Sequence, residues 1–162
     1  MTVGSRRKAR ALALQVLYAQ DLAPGGVDEA VATYGDRFEL DVDDDAREFA
    51  QVLARAATAD PAAIDAAITS ASRNWRLERM AKVDRNILRL AVGELLNVRA
   101  TPVKVVINEA VELAKRFGTS ESPAFVNGVL DRAAQAVGRR SDEDEPAPAG
   151  EVVPPSEPTP EG

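Results

Sequence analysis

Arg6, Arg7, Lys8 and Arg10 put four cations and no acid at the beginning of the chain. Positive side chains crowded in this way neutralise phosphates. If the segment is helical, Arg6 and Arg10 fall one turn apart on the same side. Gln15 and Tyr18 lie further along, where an amide and a phenol either meet bases or pack. A second group with chemistry to offer stands near the other end. Phe125 and Asn127 fall in the first turns of a helix starting near Ser122, so a ring and an amide sit beside a helix N-terminus. That arrangement suits an unstacked base and a phosphate. Lys104 adds a cation at the start of the preceding helix. Each feature has an architectural alternative. The cations are also what a solvated helix end carries, Phe125 could fill the core, and Gly128 could admit a close helix neighbour.

Composition narrows the chemistry. The 162 residues contain no cysteine and no histidine, which excludes disulfides, cysteine-ligated metals, the commonest zinc ligand and the usual general base. There is no phosphate-binding loop or dinucleotide glycine motif, and scattered Asp and Glu do not define a carboxylate site by spacing. The expectation is a protein that is not an enzyme and needs no cofactor or metal. Asp41, Asp43, Asp44 and Asp45 suggest a calcium loop at first sight but lack its glycine and terminal glutamate; acids at a helix N-terminus are the better account. No apolar run reaches membrane-spanning length, and Ala9 to Leu22 holds too many polar residues for a signal peptide, so a cytoplasmic location is expected.

The net charge of −6 is misleading for a nucleic-acid ligand. Asp142, Glu143, Asp144, Glu145, Glu151, Glu157 and Glu161 lie in a stretch without Lys or Arg; removing these seven from 26 acids leaves 19 against 20 bases. The same stretch holds six of the ten prolines and cannot bury a core. Residues 1–4 are expected to be disordered, 5–140 to form one domain, and 141–162 to be a disordered acidic tail. Acids visiting the basic patch would compete weakly with a nucleic acid.

Within 5–140 the apolar spacing predicts helix throughout: an all-α, single compact domain of about seven helices. Ser5 can cap a helix from Arg6 to about Asp21, with Ala9, Leu12, Ala13, Val16 and Leu17 inward. Cations at its start oppose the helix dipole, a local conflict that often marks function. A short helix is expected from Val27 to Tyr34, with Phe38 and Leu40 anchoring the loop after it. The next runs to about Ala59 and buries Phe49, Val52, Leu53 and Ala56. Asp60-Pro61 starts another, with Ile64, Ala67, Ile68 and Ala71 inward. Trp75 could stack on a base, but reads better as a plug between helices. Lys82 to Val98 is apolar over most of its circumference, so Asp84, Arg85, Arg89 and Glu94 need partners, most simply in a structural ion-pair network. Thr101-Pro102 and Ser122-Pro123 then read as cap-and-proline starts of two helices, with Gly118 as a left-handed cap between them and Gly138 closing the second.

Three collinear stretches, SRRKARALALQVLYAQDL, VDRNILRLAVGELL and VINEAVELAKRFG with FVNGVLDRAA, resemble the NusB family of bacterial transcription antitermination factors. The resemblance spans roughly Ser5 to Val137. It implies an all-helical fold. It also implies binding, together with the small-subunit ribosomal protein NusE, to single-stranded boxA RNA in nascent ribosomal transcripts, so that RNA polymerase in its antitermination complex resists premature termination. On the same basis Arg6, Arg7, Arg10, Lys104, Phe125 and Asn127 match positions that meet boxA; Lys8 and Gln15 join them from the reading of the residues. Related domains occur fused to RNA methyltransferases; this chain is expected to be the free-standing kind. Gly93, where many relatives carry an aromatic, and the turn Glu121 to Ala124 depart from the pattern. The alternative function is a helical protein–protein scaffold without direct RNA binding.

Overall fold

Apolar stripes divide the described residues into seven α-helices: α1 (Val3–Leu22), α2 (Val27–Arg37), α3 (Asp44–Thr58), α4 (Pro61–Ser72), α5 (Lys82–Asn97), α6 (Val103–Phe117) and α7 (Ser122–Ala136). A one-turn 3₁₀ helix, Leu77–Arg79, joins α4 to α5. The computed structural model describes residues 3–37, 42–73 and 75–139. Phe38, Leu40, Asp41 and the acidic tail expected at 141–162 lie outside the described residues. Among the described residues there is no strand, and no helix is long and apolar enough to cross a membrane.

α5 is the axle of the fold, in contact with α1, α3, α4, α6 and α7. Ile87, Leu88, Val92 and Leu95 are wholly removed from solvent, each stabilising the fold by about 1.5–3 kcal/mol through burial. A smaller cluster joins Ala9, Leu12 and Val16 of α1 to Val31 of α2 and Ala46, Ala50 and Ala54 of α3. Its alanines let α1 and α3 approach closely. α3 and α5 cross closely at Gly93, where a Cβ would lie 2.7 Å from Ala57 Cα. That contact leaves no room for a side chain at 93.

Three of the four charges expected to form an ion-pair network on α5 do so, Arg85, Arg89 and Glu94, whereas Asp84 has no ion pair and its Oδ1 is buried and unbonded among the described residues. The Arg10 guanidinium donates to both oxygens of Glu94, at 3.1 and 2.6 Å, with both residues buried. Arg89 pairs with Asp65 at 3.0 Å and approaches Asp21 at 3.7 Å, while Arg85 reaches Asp21 at 3.4 Å. Arg139, also buried, donates to the carbonyls of Leu95, Arg99 and Thr101, tying the end of α7 to the α5–α6 turn.

Local chemistry matches expectation at several helix ends and differs at others. Asp43 and Asp60 cap α3 and α4 by accepting from the Ala46 and Ala63 N–H groups, and Asp44 and Asp45 fill the first turn of α3. Among the described residues no cluster of acids is placed to hold a metal ion. Gly138 (φ 77°) ends α7, with the Arg139 and Gly138 N–H groups donating to the Ala134 and Gln135 carbonyls, the paired bonds of a left-handed cap. α1, however, starts at Val3, and the Ser5 hydroxyl reaches across to Asp43 instead of capping. Thr101 is buried before α6 and its side chain does not cap it. Ser122 lies inside α7, where its Oγ accepts from the Thr119 N–H and closes the α6–α7 turn. Gly118 is extended (φ −93°, ψ −164°), not left-handed; a Cβ there would sit 2.6 Å from Ser122 Cβ, so its smallness is what the turn requires. Val52, expected inside, is 41% exposed because α3 turns Ala50, Leu53, Ala54 and Ala57 to the core instead.

Candidate nucleic-acid interface

The start of α1 divides its cations between two environments. Arg6 and Arg7 are exposed, and Lys8 is half-buried. Arg10 is 3% exposed, and Glu94 occupies its guanidinium. Counting Arg10 among phosphate-binding residues is therefore corrected: reaching a phosphate would strand a buried carboxylate, at a cost of several kcal/mol. The helical spacing that put Arg6 and Arg10 on one side holds, since both guanidinium carbons lie 5.4 Å from the centroid of the Phe49 ring. Only Arg6 remains at the surface. Arg7 donates from Nε to Glu109 of α6 at 3.2 Å, which leaves its terminal nitrogens without a partner among the described residues. Gln15 is half-buried, with Oε1 buried and unbonded among the described residues, and so stands apart from the exposed arginines.

Beside Arg7 is a hollow of about 290 Å³ lined by Glu109, Glu112, Leu113, Lys115 and Arg116. Lys115 and Arg116 escaped sequence reasoning because cations in a last helical turn already complement the dipole. Lys115 pairs with Glu112 at 3.2 Å, and the Arg116 guanidinium lies 4.9 Å from the Phe117 ring centroid. Lys104, exposed in the first turn of α6, sits about five residues, or ~8 Å of helix, before Glu109.

At the start of α7, Phe125 is half-buried and Asn127 exposed. The phenyl ring packs partly against the core and meets the Trp75 indole edge-on, with centroids 6.0 Å apart and planes at 72°. Trp75 is not the expected core plug, because 56% of it is exposed. The two rings help to line a cleft of about 260 Å³ together with Arg79, Met80 and Thr119. Gly128 admits no close neighbour either: a Cβ there would meet only Arg132 Nη1, at 3.9 Å. Its place in the helix is not explained by packing.

α5 measures the separation of the two groups. Arg10 binds Glu94 toward its C-terminal end, and Phe125 shares a cleft with Met80, Ala81 and Asp84 at its N-terminal end. Ten residues of helix separate Asp84 from Glu94, roughly 15 Å.

Comparison with known proteins matches this arrangement of helices. Residues 7–135 match the NusB family model. The transcription antitermination protein NusB of Anaeromyxobacter dehalogenans is 51% identical over 132 residues, covering 82% of this chain and 92% of the relative. That of Sorangium cellulosum is 48% identical over 137 residues, covering 85% and 96%. Among solved structures, T. maritima NusB superposes with a TM-score of 0.72 at 34% identity, over 85% of this chain and 94% of that one. A crystal structure of antitermination factors NusB and NusE in complex with double-stranded RNA gives 0.74 at 30% identity, over 83% and 99%. The chain belongs to the NusB family.

Proposed function

We propose that the chain is an RNA-binding transcription antitermination factor that acts with NusE on boxA-type RNA in nascent ribosomal transcripts. It works by binding, in the cytoplasm, as part of the polymerase's antitermination complex. Residues 5–140 are its binding domain and 141–162 an acidic appendage. The observation that carries the reading is the pairing of exposed cations at the start of α1 with an accessible ring and amide at the start of α7, on a fold shared with a NusB solved beside NusE and RNA. Arg6, Arg7 and Lys104 meet phosphates, Phe125 stacks on a base and Asn127 reads a base edge. Lys8 lies beside this set, whereas Arg10 and Gln15 support it from within.

The test is a filter-binding titration of the full chain, with and without NusE, against boxA-type RNA in single- and double-stranded form. Three phosphate contacts predict log K falling with log salt at a slope near −2, from about 0.7 per single-strand contact. An open ring predicts preference for the single strand. Absence of RNA binding even with NusE present would leave the scaffold reading in its place.

A further inference from the structure

The segment between α4 and α5 carries a feature that the proposed contacts do not use. Trp75 is a large apolar ring standing 56% exposed, and its backbone is held rather than loose. The buried Ser72 hydroxyl donates to the Trp75 carbonyl at 3.0 Å, and the Trp75 N–H donates to the Ser72 carbonyl at 3.2 Å. Arg132 anchors the same helix end by donating to the Ala71 carbonyl at 2.6 Å. Arg73, the only non-glycine residue with positive φ (40°) among the described residues, turns the chain outward there. Arg76 and Arg79 follow, both exposed and neither held in an ion pair among the described residues. Arg7, Arg10, Arg55, Arg85 and Arg89 have carboxylate partners, while Arg6 and Arg116 lie against rings and Arg132 donates to a carbonyl. An exposed ring on a held backbone, flanked by guanidinium groups without ion pairs among the described residues, is the combination that single-stranded nucleic acid uses, with stacking on the ring and phosphates on the charges. Asp84 and Glu121 line the cleft between Trp75 and Phe125, which disfavours a phosphate inside it and leaves that role to the arginines.

We infer that Trp75, Arg76 and Arg79 form a second contact for the same RNA strand: the indole stacks on a base adjacent to the one on Phe125, and the two guanidinium groups take the flanking phosphates. This rests on the proposed RNA-binding function and extends its footprint past the start of α7. The held backbone and the edge-on contact with Phe125 lower the freedom this segment has to give up on binding.

Trp75 is the single tryptophan of the chain, so its emission reports the contact directly. The full chain is titrated with single-stranded boxA-type RNA of about a dozen nucleotides, following fluorescence and filter retention together. Quenching should track retention. Trp75→Ala should weaken binding about 5- to 100-fold with an unchanged melting temperature, and Trp75→Phe should restore most of the loss. With these two contacts added to the three proposed above, the wild-type salt slope should steepen to about −3.5, and replacing both Arg76 and Arg79 by Ala should return it to about −2. In Phe125→Ala, quenching at saturating RNA should persist. Retention without quenching, an unchanged affinity in Trp75→Ala, or quenching abolished in Phe125→Ala at saturation would each overturn the inference and leave the proposed function standing. A Trp75→Ala loss confined to NusE binding would make the ring a protein contact and also overturn it. Failure of the wild-type chain to retain RNA with or without NusE would overturn both.

Discussion

The two ends of α5 are built from different materials. Around its C-terminal half, charge is sealed inside: Arg10 and Glu94 pair in the core, and Arg139 donates to three carbonyls of the α5–α6 turn. Around its N-terminal end a ring reaches solvent: the exposed Trp75 meets the half-buried Phe125 edge-on, beside an Arg79 with no ion pair among the described residues. Ion pairs thus occur along the whole of α5, but they are fully buried only toward its C-terminus; the Arg85–Asp21 and Arg89–Asp65 pairs nearer its N-terminus keep some exposure. A buried ion pair adds little net stability compared with apolar packing, but losing one partner leaves an uncompensated charge. An exposed ring adds little to folding and is free to hold a ligand. Residue type alone thus assigns neither role, and burial decides both.

That contrast is breakable, beginning where the effect is largest. Arg10→Ala should destabilise the fold by about 3–5 kcal/mol in a denaturant titration, because Glu94 is left charged and buried. Replacing both partners by Leu and Met should recover most of that loss, which separates a stranded charge from lost packing. Gly93→Ala should cost about 1–3 kcal/mol by forcing α3 away from α5, again read from denaturant midpoints. Phe125→Ala should reduce RNA affinity by a comparable 1–3 kcal/mol through lost stacking while the fold persists; an early melting transition with unchanged RNA affinity would instead assign the ring to the core. Arg7→Ala should weaken binding to all RNA sequences alike and make the salt slope shallower by about 0.7, with under 1 kcal/mol lost from its exposed pair with Glu109.

The smallest effect concerns Asp28. Hydrogen bonds from Arg55 hold its carboxyl below the usual carboxylate range, and the pair is fully exposed. A depressed folded-state pKa contributes stability above the unfolded value and loses it as pH falls through the folded one. Asp28→Asn should therefore flatten a slight stability decline in acid and leave melting near neutral pH almost unchanged.

Most of the fold was legible because it depends on local rules. The Asp43 and Asp60 caps, the glycine at 138 and the inward stripes of α1, α4 and α5 follow from spacing and backbone chemistry within one helix. What was not legible depends on partners distant in sequence. Nothing near Arg10 shows that Glu94, 84 residues away, will claim it. Nothing near Gly93 announces Ala57, and Gly118 is set by Ser122 Oγ rather than by its own φ. Trp75 was expected inside on its size, yet the turn at Arg73 and the Ser72 bonds hold it out. The NusB resemblance supplied the candidate site, and the structure redistributed it by withdrawing Arg10 and adding a neighbour to Phe125.

The most direct test of the account is a photocrosslinking map of boxA-type RNA on the full chain with NusE bound. The account predicts crosslinked peptides from both the first two turns of α1 and the first two turns of α7 on one RNA molecule. Crosslinks that avoid both regions, or that reach only one of them however long the RNA, would contradict it.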